Sequence, residues 1–402
     1  MLPSRFLRRA LATVTNGAAR SLRHGKTPAI VMAARNHSTI IAPKAHLNKQ
    51  ILHRYLDLNQ KGKVIATYIW IDGTGEGMRC KSKVVDKRPS SANELSEWSY
   101  DGSSTYQALG HNSDVSMKPV AIYPDPFLGG DNILVLCDTY DMDDKPMATN
   151  NRASAAEALQ KVKDQRPMFG FEQEYTMYDF DGQPLGWPKG GYPKPQGPYY
   201  CGVGADKIFG RDICDAHFKA CLYAGLEIGG TNAEVMPGQW EYQIGPVVGI
   251  DCSDQMWISR YMLYRIAEEF GVIVTLDPKP MTGDWNGAGC HANFSTEDTR
   301  DKQKGVKTME SYIERLSKRH MEHIQKYDPH GGRDNARRLT GAHEAPKMDK
   351  FSWGVGDRGA SVRIHQRVMN QGYGYFEDRR PSSNCDPYSV SDILVRTTLL
   401  GE

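Results

Sequence analysis

The sequence predicts an α+β protein. A small sheet domain spans about residues 62–144, and a larger mixed domain over 145–402 has a sheet lining a charged cavity. Three observations carry this reading. Period-two runs of β-branched and aromatic residues cluster before residue 140, as half-buried strands require. After residue 150 such runs alternate with helix-length segments. Four of the later runs place charged or polar groups where a core strand should place apolar ones.

The 402 residues suffice for two or three domains with real cores. No run of ~18 apolar residues occurs, so no transmembrane helix is expected. Charge is uneven: no Asp or Glu precedes Asp57, while residues 1–40 carry Arg5, Arg8, Arg9, Arg20, Arg23, Lys26 and Arg35. Setting those seven aside leaves 43 basic residues against 48 acidic ones, a net of −5. An Arg-rich, acid-free leader dotted with Ser, Thr and Ala, with Leu2, Phe6, Leu7 and Leu11 between its arginines, has the composition of a mitochondrial transit peptide. Residues 1–38 are therefore read as an import signal for the mitochondrial matrix. A basic nucleic-acid-binding arm is the alternative, and import would remove it. The eight cysteines form no CxxC pair, so free thiols in a reducing compartment are expected.

In chain order, residues 45–60 predict a short amphipathic helix. Val64–Asp72 and Met78–Asp86 predict a hairpin about Gly73-Thr74-Gly75-Glu76-Gly77. That glycine-rich stretch lacks the strand–loop–helix setting of a nucleotide loop. Trp98–Thr105 places Asp101 in a Gly/Ser-rich loop, where turn duty is its ordinary role, and polar loop residues follow. Ile133–Asp138 is a further strand. Residues 151–165 predict a helix with Asn151 as cap. The Gly- and Pro-dense stretch 182–204 must be a loop, and long loops are often functional. Helices are predicted over 211–224, 253–271 and 307–323. From Asp328 onward, Gly-rich loops carry Arg333, Arg337, Arg338, Arg358, Arg363, Arg379 and Arg380.

The central strand is Phe169–Met177. Period two puts Glu172 and Glu174 on one face and Phe171, Gln173 and Tyr175 on the other. Adjacent carboxylates repel. On this strand alone, a solvated edge explains the pattern as well as a divalent-cation site does. The rest of the chain repeats the device. A hairpin about Pro237-Gly238 brings Glu234 near Glu241. Residues 289–295 put His291, Asn293 and Ser295 on one face, and residues 374–381 do the same for Glu377 and Arg379. Five carboxylates and one imidazole can hold two hard cations. Arginines beside them suit a polyphosphate and a transferring phosphoryl group. No GxxxxGK[ST] motif is present. A two-metal phosphoryl-transfer enzyme and a metallohydrolase both remain open on composition and spacing.

Asp101-Gly102-Ser103-Ser104-Thr105, Phe171–Tyr175, Gly197–Gly204, Asn232–Glu241, Asn286–His291 and Tyr375–Pro381 together resemble the eukaryotic-type (type II) glutamine synthetases, from about residue 45 to the C-terminus. The resemblance implies a small β-grasp domain and a large catalytic domain with a curved antiparallel sheet. It implies ATP-dependent ligation of ammonia to L-glutamate through a γ-glutamyl phosphate, with Mg²⁺ or Mn²⁺, two or more per site. It also implies a homo-oligomer of stacked rings, a decamer, with active sites between subunits. No nucleic-acid or membrane partner is expected. By position, one metal site resembles Glu174, Glu234 and Glu241, and the other Glu172, His291 and Glu377. Glutamate would meet Arg338, Arg379, Asn286, Gly287 and His291. ATP would lie against Asn293, Ser295, Arg358, Arg363 and Tyr375, with Glu172 and Glu241 on the nucleotide side. Asp101 would deprotonate ammonium, Tyr200 would line its path, Glu344 would act as a flap and Arg358 would assist catalysis. Retained Asp101 and Glu344 favour ammonia over an organic amine, and the intact ligand set argues against an inactive paralogue. Met168, Trp353, Asp357 and His365 depart from the family pattern around the nucleotide pocket.

Overall fold

The computed structural model describes residues 50–402; the expected import signal, residues 1–38, lies outside the described residues. Strands β1 (Val64–Ile71), β2 (Met78–Val85), β3 (Trp98–Asp101), β4 (Asp114–Pro124) and β5 (Ile133–Tyr140) form a five-stranded sheet in the order β2-β1-β5-β4-β3. β1 and β2 pair antiparallel in unbroken register, from Val64 opposite Val85 to Ile71 opposite Met78. Residues 73–77 are the turn of that hairpin. The Asp72 carboxylate accepts from the Thr74 amide at 2.9 Å, and the Asp72 amide donates to the Gly77 carbonyl at 2.8 Å. A Cβ on Gly77 would come within 2.5 Å of that carboxylate, so the turn requires glycine. β1 runs parallel to β5, and Tyr68, Met117 and Val135 fill the core of this sheet.

β4 corrects the expected polar loop. Val115 and Met117 are buried in alternation, but the register with β5 shifts between Pro119 and Ala121. Proline cannot donate to a ladder, so the strand carries a bulge there and its period is broken.

Eight strands form the second sheet: β6 (Met168–Tyr178), β7 (Ile228–Ala233), β8 (Gln239–Val248), β9 (Ile273–Thr275), β10 (Cys290–Ser295), β11 (Trp353–Val355), β12 (Val362–Ile364) and β13 (Phe376–Asp378). Their order is β11-β12-β13-β10-β6-β8-β7, with β9 on the end of β6. All neighbours are antiparallel except β11 and β12. The architecture is thus the expected α+β one.

Helices α1 (Gln50–Leu56), α2 (Asn151–Lys161), α3 (Arg211–Tyr223), α4 (Asp251–Phe270), α5 (Glu297–Arg300), α6 (Gly305–Lys318), α7 (His320–Lys326), α8 (Gln366–Gln371) and α9 (Pro387–Val395) complete the described chain. Two details differ from expectation. α2 is capped by Asn150, whose side chain accepts from the Ala153 amide, and Asn151 is the first helical residue. The single helix expected over 307–323 breaks at Arg319, which has φ −118° and ψ 22°. The break aims His320 at the Met348 carbonyl (2.9 Å) and His323 at Tyr327 (2.7 Å) and Thr397 (2.9 Å). The contacts to Met348 and Thr397 are long-range and outweigh helix continuity.

α4 packs behind the second sheet and buries Met256, Ile258 and Met262. It also buries Arg260, which donates to the Gln173 side-chain oxygen at 2.8 and 2.6 Å and to the Cys385 carbonyl at 2.8 Å. Gln173 therefore has a partner on the apolar face of β6. Among the described residues no helix is long and apolar enough to cross a membrane. All eight cysteines are free.

Candidate active site

β6 buries Phe171, Gln173 and Tyr175 completely and leaves Glu172 and Glu174 on its other face. The sheet register then selects their partners. Glu174 stands opposite Glu241 on β8, and Glu172 stands opposite His291 on β10. Glu377 on β13 pairs with Asn293 on one side and Arg363 on the other. Glu234 follows the end of β7, held where its amide donates to the Gln239 carbonyl at 2.9 Å. Two groups of three converge: Glu174, Glu234 and Glu241, and Glu172, His291 and Glu377. In each, one ligand atom per residue lies within 4.8 Å of the others.

The first group is all carboxylate. Glu174 accepts from the Gly289 amide at 2.6 Å, Glu234 from Asn232 and the Val235 amide at 3.1 Å each, and Glu241 from Gln243 at 2.9 Å. Among the described residues none of the three has an ion-pair partner. Burial, reinforced by Glu174 and Glu241, pushes Glu234 up to about 9. Burial, with Glu172 and Glu174 beside it, pushes Glu241 up to about 7. Packed carboxylates without a counter-charge are costly. The donor set therefore fits a hard divalent cation, which takes oxygen ligands.

The second group is mixed and already partly compensated. His291 Nδ1 lies 3.4 Å from Glu172 and 3.3 Å from Glu377. Glu377 is fully buried and accepts from Arg363 at 2.5 Å and Arg379 at 2.7 Å, with His365 at 3.4 Å. Burial alone would raise its carboxyl; the histidines and Arg379 outweigh that and hold it well below the usual range. Glu172, accepting from Asn293 at 2.8 Å, is likewise lowered against its burial by His291. The Asn293 side-chain oxygen is buried without a partner at the same place. Two carboxylates converging on one imidazole nitrogen fit a second cation.

The arginines divide into two kinds. Arg363 and Arg379 grip Glu377. Arg338 is enclosed behind His291: it donates to the Arg379 and Pro381 carbonyls at 3.0 and 3.3 Å and meets His291 Nε2 at 3.1 Å. Its burial pulls its guanidinium down to about 10. Gly289 permits that approach, since a Cβ there would lie 2.4 Å from the guanidinium.

The other candidates are more dispersed. Tyr375 is half-exposed with its ring 5.3 Å from His365. Ser295 is buried and accepts from Arg300 at 2.8 Å. The Asn286 amide donates to the Gln196 side chain at 2.7 Å, and the Gly287 carbonyl accepts from Gln239 at 2.7 Å. Tyr200 and Arg358 are exposed, and Glu344 stands exposed at the tip of a turn. Asp101 stands apart. It ends β3, and its carboxylate accepts from Ser103 and Ser104, which hold it down at about 2. None of its hydrogen bonds reaches either carboxylate group.

The sequence reading missed Gln196, Gln243 and Asn232, which brace the site from loops and strand faces where spacing carries no signal. Of the departures from the family pattern, His365 touches Glu377, Met168 begins β6, Trp353 is exposed on β11 and Asp357 accepts from the Gly359 amide at 2.8 Å. A third group, Asp328, His330 and Asp334, also converges. Its atoms are engaged: Asp328 accepts from the amides of His330, Gly332 and Asn335, and Asp334 takes His330 and Asn384.

A five-stranded sheet preceding an eight-stranded one, with two carboxylate-rich groups side by side on the latter, defines an enzyme with a candidate two-cation centre. Residues 63–142 match the family model described as "Glutamine synthetase, beta-Grasp domain", and residues 148–401 match "Glutamine synthetase, catalytic domain". The chain is 56% identical over 399 residues to glutamine synthetase 1, mitochondrial, of Drosophila melanogaster, covering 99% of this chain and 98% of that protein. It is 58% identical over 362 residues to glutamine synthetase 2 cytoplasmic of the same species, covering 90% of this chain and 98% of that protein. The Bos taurus glutamine synthetase is 57% identical over 358 residues, covering 89% of this chain and 96% of that protein. The chain belongs to the glutamine synthetase family.

Proposed function

We propose that this chain forms L-glutamine from L-glutamate and ammonia at the expense of ATP, with the two groups on β6 as its centre. The observation that carries this reading is the pairing of two three-ligand groups with Arg363 and Arg379 on one sheet face. Mg²⁺ or Mn²⁺, held by Glu174, Glu234 and Glu241 and by Glu172, His291 and Glu377, would supply positive charge to the nucleotide phosphates.

The chain's own residues do the rest. A carboxylate is a poor electrophile, so glutamate's γ-carboxylate must first take the terminal phosphoryl group of ATP. Arg358 and Arg363 face the charge that develops there, with Tyr375, Asn293 and Ser295 on the nucleotide side. Arg379, with Arg338 behind it, receives glutamate's own carboxylates, and Asn286 and Gly287 its amino end. The ammonium ion binds beside Tyr200 against Asp101, whose carboxylate Ser103 and Ser104 hold down at about 2 and so keep charged as its counter-ion; the proton passes to Asp101 as the nitrogen engages the acyl phosphate. The ammonia nitrogen then displaces phosphate from the acyl phosphate. Glu344 closes over that intermediate and excludes water.

Because Asp101 lies in the first sheet and its side-chain hydrogen bonds go to Ser103 and Ser104, we assign it to the site of a neighbouring copy in a homo-oligomer of stacked rings, a decamer. The domain division that accompanies this reading is 62–144 and 145–402. We also assign residues 1–38 to mitochondrial import. Their acid-free basic composition supports this, as does similarity that extends over 99% of the chain to a relative named mitochondrial.

The test is phosphate release from ATP with glutamate, with and without ammonium or amines. Release that requires glutamate and yields glutamine only with ammonium supports the reading; equal yields with organic amines would refute the substrate. Mixing Asp101→Asn with Glu174→Ala subunits tests the shared site. Each alone should have lost nearly all glutamine formation, and reassembled mixed rings should recover part of it. Mixed rings, verified by mass, that stay dead would refute it.

A further inference from the structure

The Glu344 turn is built against its own sequence. The Ala345 amide donates to the Ala342 carbonyl at 3.1 Å, and Thr340 bridges Lys347, so residues 340–347 form a small hairpin with His343 and Glu344 at its tip. Both tip residues are left-handed, with φ +54° and +59°. A two-residue hairpin turn of this hand favours Asn and Gly, and an ordinary side chain there is strained. Something outside the turn must hold it.

His343 makes that connection. Its Nε2 lies 2.8 Å from Asp284, and its Nδ1 lies 3.5 Å from the Gln196 side-chain nitrogen. The Gln196 side-chain oxygen accepts from the Asn286 amide at 2.7 Å. That bond fixes the Gln196 amide, which leaves its NH₂ to donate to Nδ1. Nε2 then carries the proton and faces the exposed Asp284 carboxylate as a charge contact. On the other side, the Glu344 carbonyl accepts from Arg379 at 3.1 Å. The turn is thus tied at His343 to the 284–286 loop and at Glu344 to the Glu377 cluster.

We infer that His343 is a positioning residue: with Gln196 and Asp284 it latches the 340–347 hairpin so that Glu344 stays over the reacting carboxylate. The latch also links the hairpin to Asn286, so that glutamate seated at Asn286 would steady Gln196 and thereby the turn. This rests on the assignment of Glu344 as the flap. When the latch is loose, water attacks the acyl phosphate in place of ammonia, which returns glutamate and releases phosphate without forming glutamine.

The experiment measures phosphate released per glutamine formed at saturating ammonium, on the assembled full-length enzyme. The variants are His343→Gly, His343→Ala, Gln196→Ala and Glu344→Gln, and thermal unfolding confirms each fold. His343→Gly relieves the backbone strain but removes the latch, so a residue needed only for the turn would be replaced by glycine without loss. The latch predicts a ratio at least threefold above wild type for His343→Gly, His343→Ala and Gln196→Ala, with KM for ATP unchanged. A wild-type ratio in His343→Gly, with Glu344→Gln still uncoupled, overturns the latch alone. A wild-type ratio in Glu344→Gln overturns the flap assignment, and the latch with it.

Discussion

Glu241→Gln should stabilise the metal-free protein and remove its response to metal. The substitution keeps the side chain's size and removes one charge from a group whose three ligand oxygens lie within 4.8 Å of one another. Two unit charges at that distance repel by roughly 3 kcal/mol at an effective dielectric of about 20. Protonation already relieves part of this, since Glu234 and Glu241 are both raised by burial and by their neighbours. The net gain on removing the Glu241 charge is therefore about 1–2 kcal/mol. Metal acts in the opposite direction. A ligand at 100 times its dissociation constant stabilises the folded state by about 2.7 kcal/mol, and the variant should lose most of that.

The two stability orders should cross. After chelation the variant should unfold at higher urea than wild type; with saturating Mn²⁺, wild type should be the more stable. The measurement is the urea midpoint with and without Mn²⁺, which needs no catalytic turnover. A variant that is less stable than wild type after chelation, or that gains as much from Mn²⁺, would falsify the cation assignment of Glu174, Glu234 and Glu241.

Three further outcomes follow from particular contacts. Asp101→Asn should lower glutamine formation by ~10²–10⁴-fold, while glutamate-dependent phosphoryl transfer from ATP, followed by isotope exchange, persists; equal loss of both steps would remove Asp101 from the ammonium role. Burial holds His217 down at about 4, with its Nε2 2.9 Å from the Ser259 carbonyl. Its folded pKa lies below the unfolded value, so stability should fall as pH drops from about 6.5 towards 4, by up to about 3 kcal/mol; His217→Gln should flatten that slope in urea titrations at pH 7 and pH 5, and an unchanged slope would count against it. Arg380→Met should cost about 3–5 kcal/mol by leaving the buried Asp378 carboxylate unpaired, against about 1 kcal/mol for Tyr327→Phe; equal effects in urea melts would contradict this ordering.

Much of the site was legible because its signal is local. Glu172 and Glu174 alternate with Phe171, Gln173 and Tyr175, and period two needs only the strand itself. Which carboxylate meets which is a matter of register. Glu174 meets Glu241 and Glu172 meets His291 because β8 and β10 flank β6, and no spacing along the chain states that. The same limit explains the misses. Gln173 looked out of place on an apolar face until Arg260, 87 residues away, supplied its partner. β4 was hidden by a bulge at Pro119, and β11 and β12, at three residues each, are too short to show a period.

β13 shows why a charged site can sit on a folded sheet at all. Glu377 and Arg379 face the cation groups, while Asp378 and Arg380 face the interior. Arg380 donates to both Asp378 oxygens at 2.9 and 2.6 Å, Tyr327 donates to Asp378 at 2.6 Å, and Arg380 approaches His320 at 3.1 Å. A buried pair contributes little net stability when complete, yet breaking it is costly. Its effect is therefore on position: the backbone of β13 cannot slip without exposing one charge to an apolar interior. Slippage by one residue would also turn Glu377 away from His291. The break between α6 and α7, which breaks an otherwise continuous helix, brings His320 and, through His323, Tyr327 into this arrangement. The irregularity that sequence periodicity could not anticipate and the placement of Glu377 thus have one cause, the fully paired charge cluster behind β13.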